Sequence, residues 1–292
     1  MSPDTYQRAR AFVYANARLL EQRLFAALFE GGSPGGVVDA LRGYQNDDGG
    51  FGHGLEPDKR CPASLPGDVE LALEMLVAAG AREERMVQRA CGFLSGMADA
   101  DGAVALATPV IEGYPRAEHW TEWTYVPGVF PTAGLAGLLH ALDVAHPWLE
   151  QATGYCWSTL AAGLPDDAHA LREVLVFCAH VGDRDRAADL ARRAVGHLEH
   201  ASWYLRDPDD PSYGVTPLHL VPAPDGPWRG LFDDALIEGH LARLTRDQQD
   251  DGGWPITWEP PSPAAVFEWR GIETVRALRV LAAYGRLPDA PR

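Results

Sequence analysis

Gln45-Asn46-Asp47-Asp48-Gly49-Gly50-Phe51 and Gln248-Gln249-Asp250-Asp251-Gly252-Gly253-Trp254 are one heptapeptide written twice, Q-x-D-D-G-G-aromatic. The register holds beyond the motif, because Glu56-Pro57 returns as Glu259-Pro260 at the same offset. A long motif that recurs together with its flank marks an internal repeat. Paired glycines permit positive φ and close chain approach. The Asp side chains can accept hydrogen bonds from backbone N–H groups at the start of a following helix. The Gln can bond back to the turn, and the aromatic ring can fill the gap between neighbouring helical pairs. These are fastening roles, so Asp47, Asp48, Asp250 and Asp251 read first as structural.

Outward from the two turns the pattern is helical. Phe12, Leu19, Leu20, Leu24 and Leu28 fall near one face of a helix expected over Thr5 to Phe29. Further helices are expected over 35–44, from Asp68 (as cap) to Ala79, and over 83–97, 132–144, 147–162, 166–181, 183–200, 228–249 and 267–284. Two stretches break the pattern, 98–130 and 201–227, both rich in Pro and aromatic residues. Irregular segments this long in a folded domain are usually functional. About ten helices in antiparallel pairs and no convincing strand make the fold all-α.

The doubled motif resembles the QW repeat of squalene–hopene cyclases and the Gly-Gly-aromatic turns of protein prenyltransferase β-subunits. The resemblance implies a single α/α toroid over 1–292, with helical hairpins in inner and outer layers around a cavity. Ten helices are fewer than a full ring of six hairpins needs, so an incomplete ring is expected, with 98–130 and 201–227 standing in near the cavity mouth. In those families the motif is a clamp and not the reaction centre.

Composition narrows the function classes. The formal net charge is −16, which disfavours nucleic acid and anionic lipid as partners. No stretch approaches the roughly 20 apolar residues of a membrane span. The N-terminal Met1 to Arg8 lacks the apolar run of a secretory signal, so a cytoplasmic location is expected. Lys59 is the only lysine beside many arginines, a skew typical of GC-rich bacterial genomes. Cys61, Cys91, Cys156 and Cys178 form no C-x-x-C pair and read as buried thiols. The zinc site of prenyltransferases needs D-x-C, which is absent, so no metal is expected. Magnesium enters only if the substrate is a diphosphate, and Asp166-Asp167 and Asp233-Asp234 lack the downstream Asp of D-D-x-x-D.

The expected chemistry rests on carboxylates. Glu56 and Glu259 are repeat-equivalent, and paired carboxylates in an apolar site separate in pKa into acid and base. The same equivalence also suits a repeated structural role. His53 and Asp58 have no repeat counterpart and are the more individual candidates. Asp207-Pro208-Asp209-Asp210 matches the D-x-D-D of class II terpene cyclases, and the resemblance would make Asp209 the general acid. The prolines that follow place it in a loop, where those enzymes have a helix. Trp120, Trp123, Tyr125, Trp203, Trp258 and Trp269 lie in or beside irregular segments, where aromatic faces can bind an isoprenoid chain or stabilise a cation. The leading expectation is a class II terpenoid-cyclase-like enzyme acting on an apolar, isoprenoid substrate. A carbohydrate-active toroid enzyme and a non-catalytic binder of a hydrophobic ligand stand as alternatives.

Overall fold

The repeated turns fold alike in the computed structural model, which describes residues 4–287. In the first, Gln45 Nε2 donates to the carbonyls of Gly49 and Met86, each at 2.9 Å. In the second, Gln248 Nε2 donates to the carbonyls of Gly252 and Thr5, again at 2.9 Å. Gly49 and Gly252 have φ of 93° and 94°, and a Cβ on either would strike the backbone of Arg89 or Arg8. The second Asp of each motif accepts from the second glycine's N–H, Asp48 from Gly50 and Asp251 from Gly253. The Asp residues therefore close the turn itself rather than capping the next helix. Phe51 and Trp254 are buried.

The partners of the turns repeat too. Arg89 donates to the carbonyls of Asn46 and Asp47, and Arg8 to the carbonyl of Gln249. Gly50 lies against the Phe93 ring and Gly253 against Phe12. Gln88-Arg89-Ala90-x-x-Phe93 and Gln7-Arg8-Ala9-x-x-Phe12 are thus two copies of a docking sequence. A third, degenerate turn lies at Asp99 to Ala103, with Gly102 at φ 92°. Asp99 N–H donates to Ala103 and Gly102 N–H to Asp99, as at the other two turns. Gly102 rests on Gln151 and Ala152, so the sequence Gln151-Ala152-x-x-Tyr155 takes the docking role.

Twelve α-helices occur among the described residues: α1 (Asp4–Asn16), α2 (Leu19–Phe29), α3 (Gly35–Leu41), α4 (Pro66–Ala79), α5 (Glu84–Met97), α6 (Val129–Ala141), α7 (Pro147–Ala162), α8 (Ala168–His180), α9 (Arg184–His197), α10 (Pro217–Leu220), α11 (Asp234–Arg246) and α12 (Pro263–Ala283). No strand occurs among those residues, only isolated bridges such as Lys59 with Arg116. The fold is all-α, and no described helix is long and apolar enough to cross a membrane. The chain forms two compact units, 41–204 and a second made of 1–40 with 205–292.

In the unit 41–204, α4 packs on α6 and α6 on α8, while α5, α7 and α9 pack on α4, α6 and α8 in turn. This is a two-layered row of helical hairpins. α5 buries one stripe, Met86, Val87, Ala90, Cys91 and Leu94, as an outer helix should. The inner helices are buried nearly all round: Pro131 to Leu139 on α6, and Pro66 to Leu76 on α4 except Glu74. Gly137 lets α6 approach the α8 backbone at Val176 and Phe177 closely.

In the unit of 1–40 and 205–292, α12 packs on α1, α2 and α11. The single helix expected over Thr5 to Phe29 is two helices. Asn16 Nδ2 donates back to the Phe12 carbonyl, and Gln22 Nε2 to that of Ala17. The break presents Ala17 to Gly271 of α12 at close range. Tyr6 then stacks on Phe25, and Tyr14 meets the same ring edge-on. Asp68 is no N-cap either: Leu65 holds that position ahead of Pro66, and Asp68 turns its carboxylate elsewhere. The expected helix over 228–249 is regular only from Asp234.

Candidate functional site

An inner helix buried on every side should be apolar throughout, yet α4 and α8 carry charges there. Asp68, Glu70 and Glu173 are buried, as are Asp58 and Lys59 in the adjoining loop. They gather around the first half of α4 and the middle of α8; Asp68 alone lies in a first turn, where the helix dipole favours negative charge.

Two clusters make up the site. In the first, Lys59 Nζ lies 2.7 Å from Glu56 Oε2 and 3.4 Å from Asp68 Oδ2. It also sits over the Trp120 ring, 4.0 Å from its centroid. The Glu56 N–H donates to Asp68 Oδ1 at 2.8 Å. His119 Nε2 lies 3.5 Å from Asp58 Oδ2, and the Asp58 carbonyl accepts from Ala117 N–H. Burial alone would push the Lys59 ammonium down, but the charges of Asp68 and Glu56 outweigh it and hold the pKa above its usual value. Asp68 goes the other way: burial outweighs the single nearby ammonium and pushes its carboxyl up to about 6. Burial holds the His119 imidazole below its usual value.

The second cluster joins α4 to α8. Glu70 and Glu173 share a hydrogen bond, and both carboxyls crowd the space where a Cβ on Gly134 of α6 would stand. Arg172 forks between Glu173 Oε1, at 2.7 Å, and Glu74. Burial first, then the charges of Glu173 and Glu74, push the Glu70 carboxyl well above the usual carboxylate range. Two carboxyls this close in a dry setting cannot both ionise, so the pair keeps a proton. Solvent reaches the cluster past Glu74 and Arg172, whose side chains are 19% and 29% exposed.

One helical turn away on α6 and α8 an open, largely apolar groove of about 450 Å³ runs between Val129, Phe130, Tyr155, Leu164, Pro165 and Ala170. That volume suits a small organic molecule.

The sequence-derived candidates divide between the units. Glu56, Asp58 and Trp120 meet in the first cluster. His53 is exposed at φ 58° and bonds Asn46 Oδ1 at 2.8 Å. Trp123 and Trp203 are exposed, and Tyr125 is half-buried with its hydroxyl on Glu112. In the other unit, Asp209 is exposed in a turn where its N–H donates to Asp207, and its carboxylate pairs with Arg246 at 2.7 Å. Glu259 is exposed there, and Trp258 meets Trp269 edge-on at 5.0 Å. Glu70, Glu173, Arg172 and Lys59 were not among the candidates. The signal for Glu70, Arg172 and Glu173 was a charge inside an apolar run, as in Val69-Glu70-Leu71-Ala72-Leu73 and Leu171-Arg172-Glu173-Val174-Leu175.

The four cysteines are free and buried, and burial pushes the Cys91, Cys156 and Cys178 thiols up to about 12. Among the described residues no three His, Cys, Asp or Glu side chains are arranged to hold a metal ion.

No protein-family model matches the chain, and no curated protein is significantly similar to it. Among solved structures, it is similar to the crystal structure of a protein from Actinoplanes, at 19% identity and a TM-score of 0.58. The match covers 96% of this chain and 99% of that one, and it extends to the fold alone.

Proposed function

We propose that the protein is an enzyme working by general acid–base chemistry, with the Glu70–Glu173 pair as its proton donor. The observation that carries this reading is the pair itself: two buried carboxyls from different inner helices, hydrogen-bonded to each other against Gly134. A carboxyl whose pKa is raised by an apolar, like-charged setting is what acid-initiated catalysis needs. The architecture we infer is the α/α toroid. Support comes from the second turn docking on α1 as the first docks on α5, so the last part of the chain fastens to its first helix.

The substrate we propose is apolar and isoprenoid-like, held in the groove at Phe130, Leu164 and Pro165 and protonated from Glu70. This moves the acid away from Asp209, whose exposed, ion-paired carboxylate lacks the apolar surroundings of a protonating group. A carbohydrate substrate is the second reading. The carboxyls of Glu56 and Asp58 near the Trp120 ring favour it, since carbohydrate-active enzymes work with a carboxylate pair.

The test is a thermal-shift panel of isoprenoid alcohols, isoprenoid diphosphates with and without magnesium, and oligosaccharides, followed by product analysis. A ligand that binds only the native state raises the melting temperature. We expect a shift with the alcohols, turnover lost in Glu70→Gln, and turnover kept in Asp209→Asn. A shift with oligosaccharides alone would replace the isoprenoid substrate, and turnover that survives Glu70→Gln would remove the acid.

A further inference from the structure

Two carboxyls that share a proton are equivalent until something distinguishes them. Here the distinction is geometric. Arg172 and Glu173 are neighbours on α8, and the guanidinium donates to Glu173 Oε1 at 2.7 Å. Its other arm reaches across to Glu74 on α4, one turn beyond Glu70. Glu70 receives no such donor, and its Oε1 is buried without a hydrogen-bond partner. The remaining helix packed here, α6, brings Gly134 and no charge; its sole titratable side chain, His140, bonds Thr153 instead. The charges facing the pair on these three helices are therefore Arg172 and Glu74.

We propose that Arg172 is a positioning residue that decides which carboxyl carries the proton: its fork fixes negative charge on Glu173 and leaves Glu70 as the acid. This rests on the reading of the pair as a proton donor, and it adds which oxygen-bearing group donates and what sets the choice. A guanidinium held in a two-carboxylate fork stays charged at every working pH and keeps its planar geometry. The arrangement would thus hold one microstate of the pair rather than an even mixture. A lysine at the same place keeps the charge but loses the fork, whereas a glutamine loses both.

The test reads the protons directly and needs no substrate. Protein labelled with ¹³C at the glutamate carboxyls is titrated by NMR, with Glu70→Gln and Glu173→Gln used to assign the two signals. We expect the Glu70 signal to titrate well above the usual carboxylate range and above the Glu173 signal, which the fork holds lower. In Arg172→Gln the Glu173 signal should rise toward that of Glu70, so the pair binds more proton at a given pH. Arg172→Lys, which keeps the charge without the fork, should raise the Glu173 signal by a smaller step, and it serves as the second variant if Arg172→Gln does not fold. The proposal is overturned if Glu173 is the protonated member in the wild type, or if neither substitution moves its titration. A correct titration without turnover on any ligand would leave Arg172 in this role and sink the enzymatic reading; the reverse result would do the opposite.

Discussion

Replacing Gly134 by alanine should separate crowding at the acid pair from ordinary helix energetics. In a helix interior, Gly→Ala normally stabilises by about 0.5–1 kcal/mol, because the glycine loses more backbone freedom on folding. Gly154 is the internal control: it lies exposed on α7 with nothing within contact of a Cβ. Gly154→Ala should show that full gain. At Gly134 the new methyl would overlap Glu173 Oε2 and Glu70 Oε1, both confined by burial. Overpacking of this kind costs about 1–3 kcal/mol. Disrupting the buried carboxyl hydrogen bond adds about 1–3 kcal/mol. Set against the helix gain, Gly134→Ala should be destabilising by about 1–5 kcal/mol, opposite in sign to the control. Urea unfolding at pH 7 with matched slopes measures both. The loss should vanish when Gly134→Ala is made in a Glu70→Ala/Glu173→Ala background, where the obstructing oxygens are gone. A Gly134→Ala protein as stable as Gly154→Ala would refute the placement of the two carboxyls against α6.

The turns should answer in graded fashion. Gly49→Ala and Gly252→Ala each combine positive φ with a backbone clash and should cost about 2–4 kcal/mol. Gly102→Ala meets Gln151 less closely, at 3.0 Å, and should cost less in the same denaturation assay. Asp68 gives a pH signature. Its folded pKa of about 6 lies above the unfolded value near 3.9, so folding favours the protonated form. Its contribution is therefore full below about pH 4 and is lost as pH rises through about 6, on the order of 3 kcal/mol in all. Asp68→Asn, which retains an acceptor for the Glu56 N–H, should flatten that window in a pH series of unfolding curves. Lys59 is the chain's sole lysine and is 1% exposed, so an amine-reactive ester should leave its side chain unmodified in the native protein. In urea an adduct at Lys59 should appear by mass spectrometry, and its equally rapid appearance without denaturant would contradict the burial of the ammonium.

Much of the architecture could be read from local pattern. α7 over Pro147–Ala162 and the end of α5 at Met97 follow their proline, glycine and apolar spacing closely. The repeat, too, was written in the chain, as was the Gln that closes each turn. The misses have local causes. The break at Asn16 to Arg18 lies inside a continuous apolar pattern, and side-chain bonds to the Phe12 and Ala17 carbonyls decide it. The third turn escaped because Ala98 and Ala103 replace the Gln and a glycine, although the backbone bonds are the same.

The site divides along the same line. Sequence by itself determined that the protein is all-helical, strongly acidic and fastened by doubled glycine turns, because periodicity and positive-φ requirements act over a few residues. It also put Glu56 and Asp58 forward as neighbours of a turn, and Trp120 as an aromatic of an irregular stretch. Only the tertiary structure decided that Glu70 meets Glu173 a hundred residues away, that Lys59 is locked between Glu56 and Asp68, and that Asp209 stands exposed beside Arg246. Whether a carboxyl is an acid or a surface charge depends on desolvation and on the charges around it. Those are set by which helices pack together, and no local spacing records them.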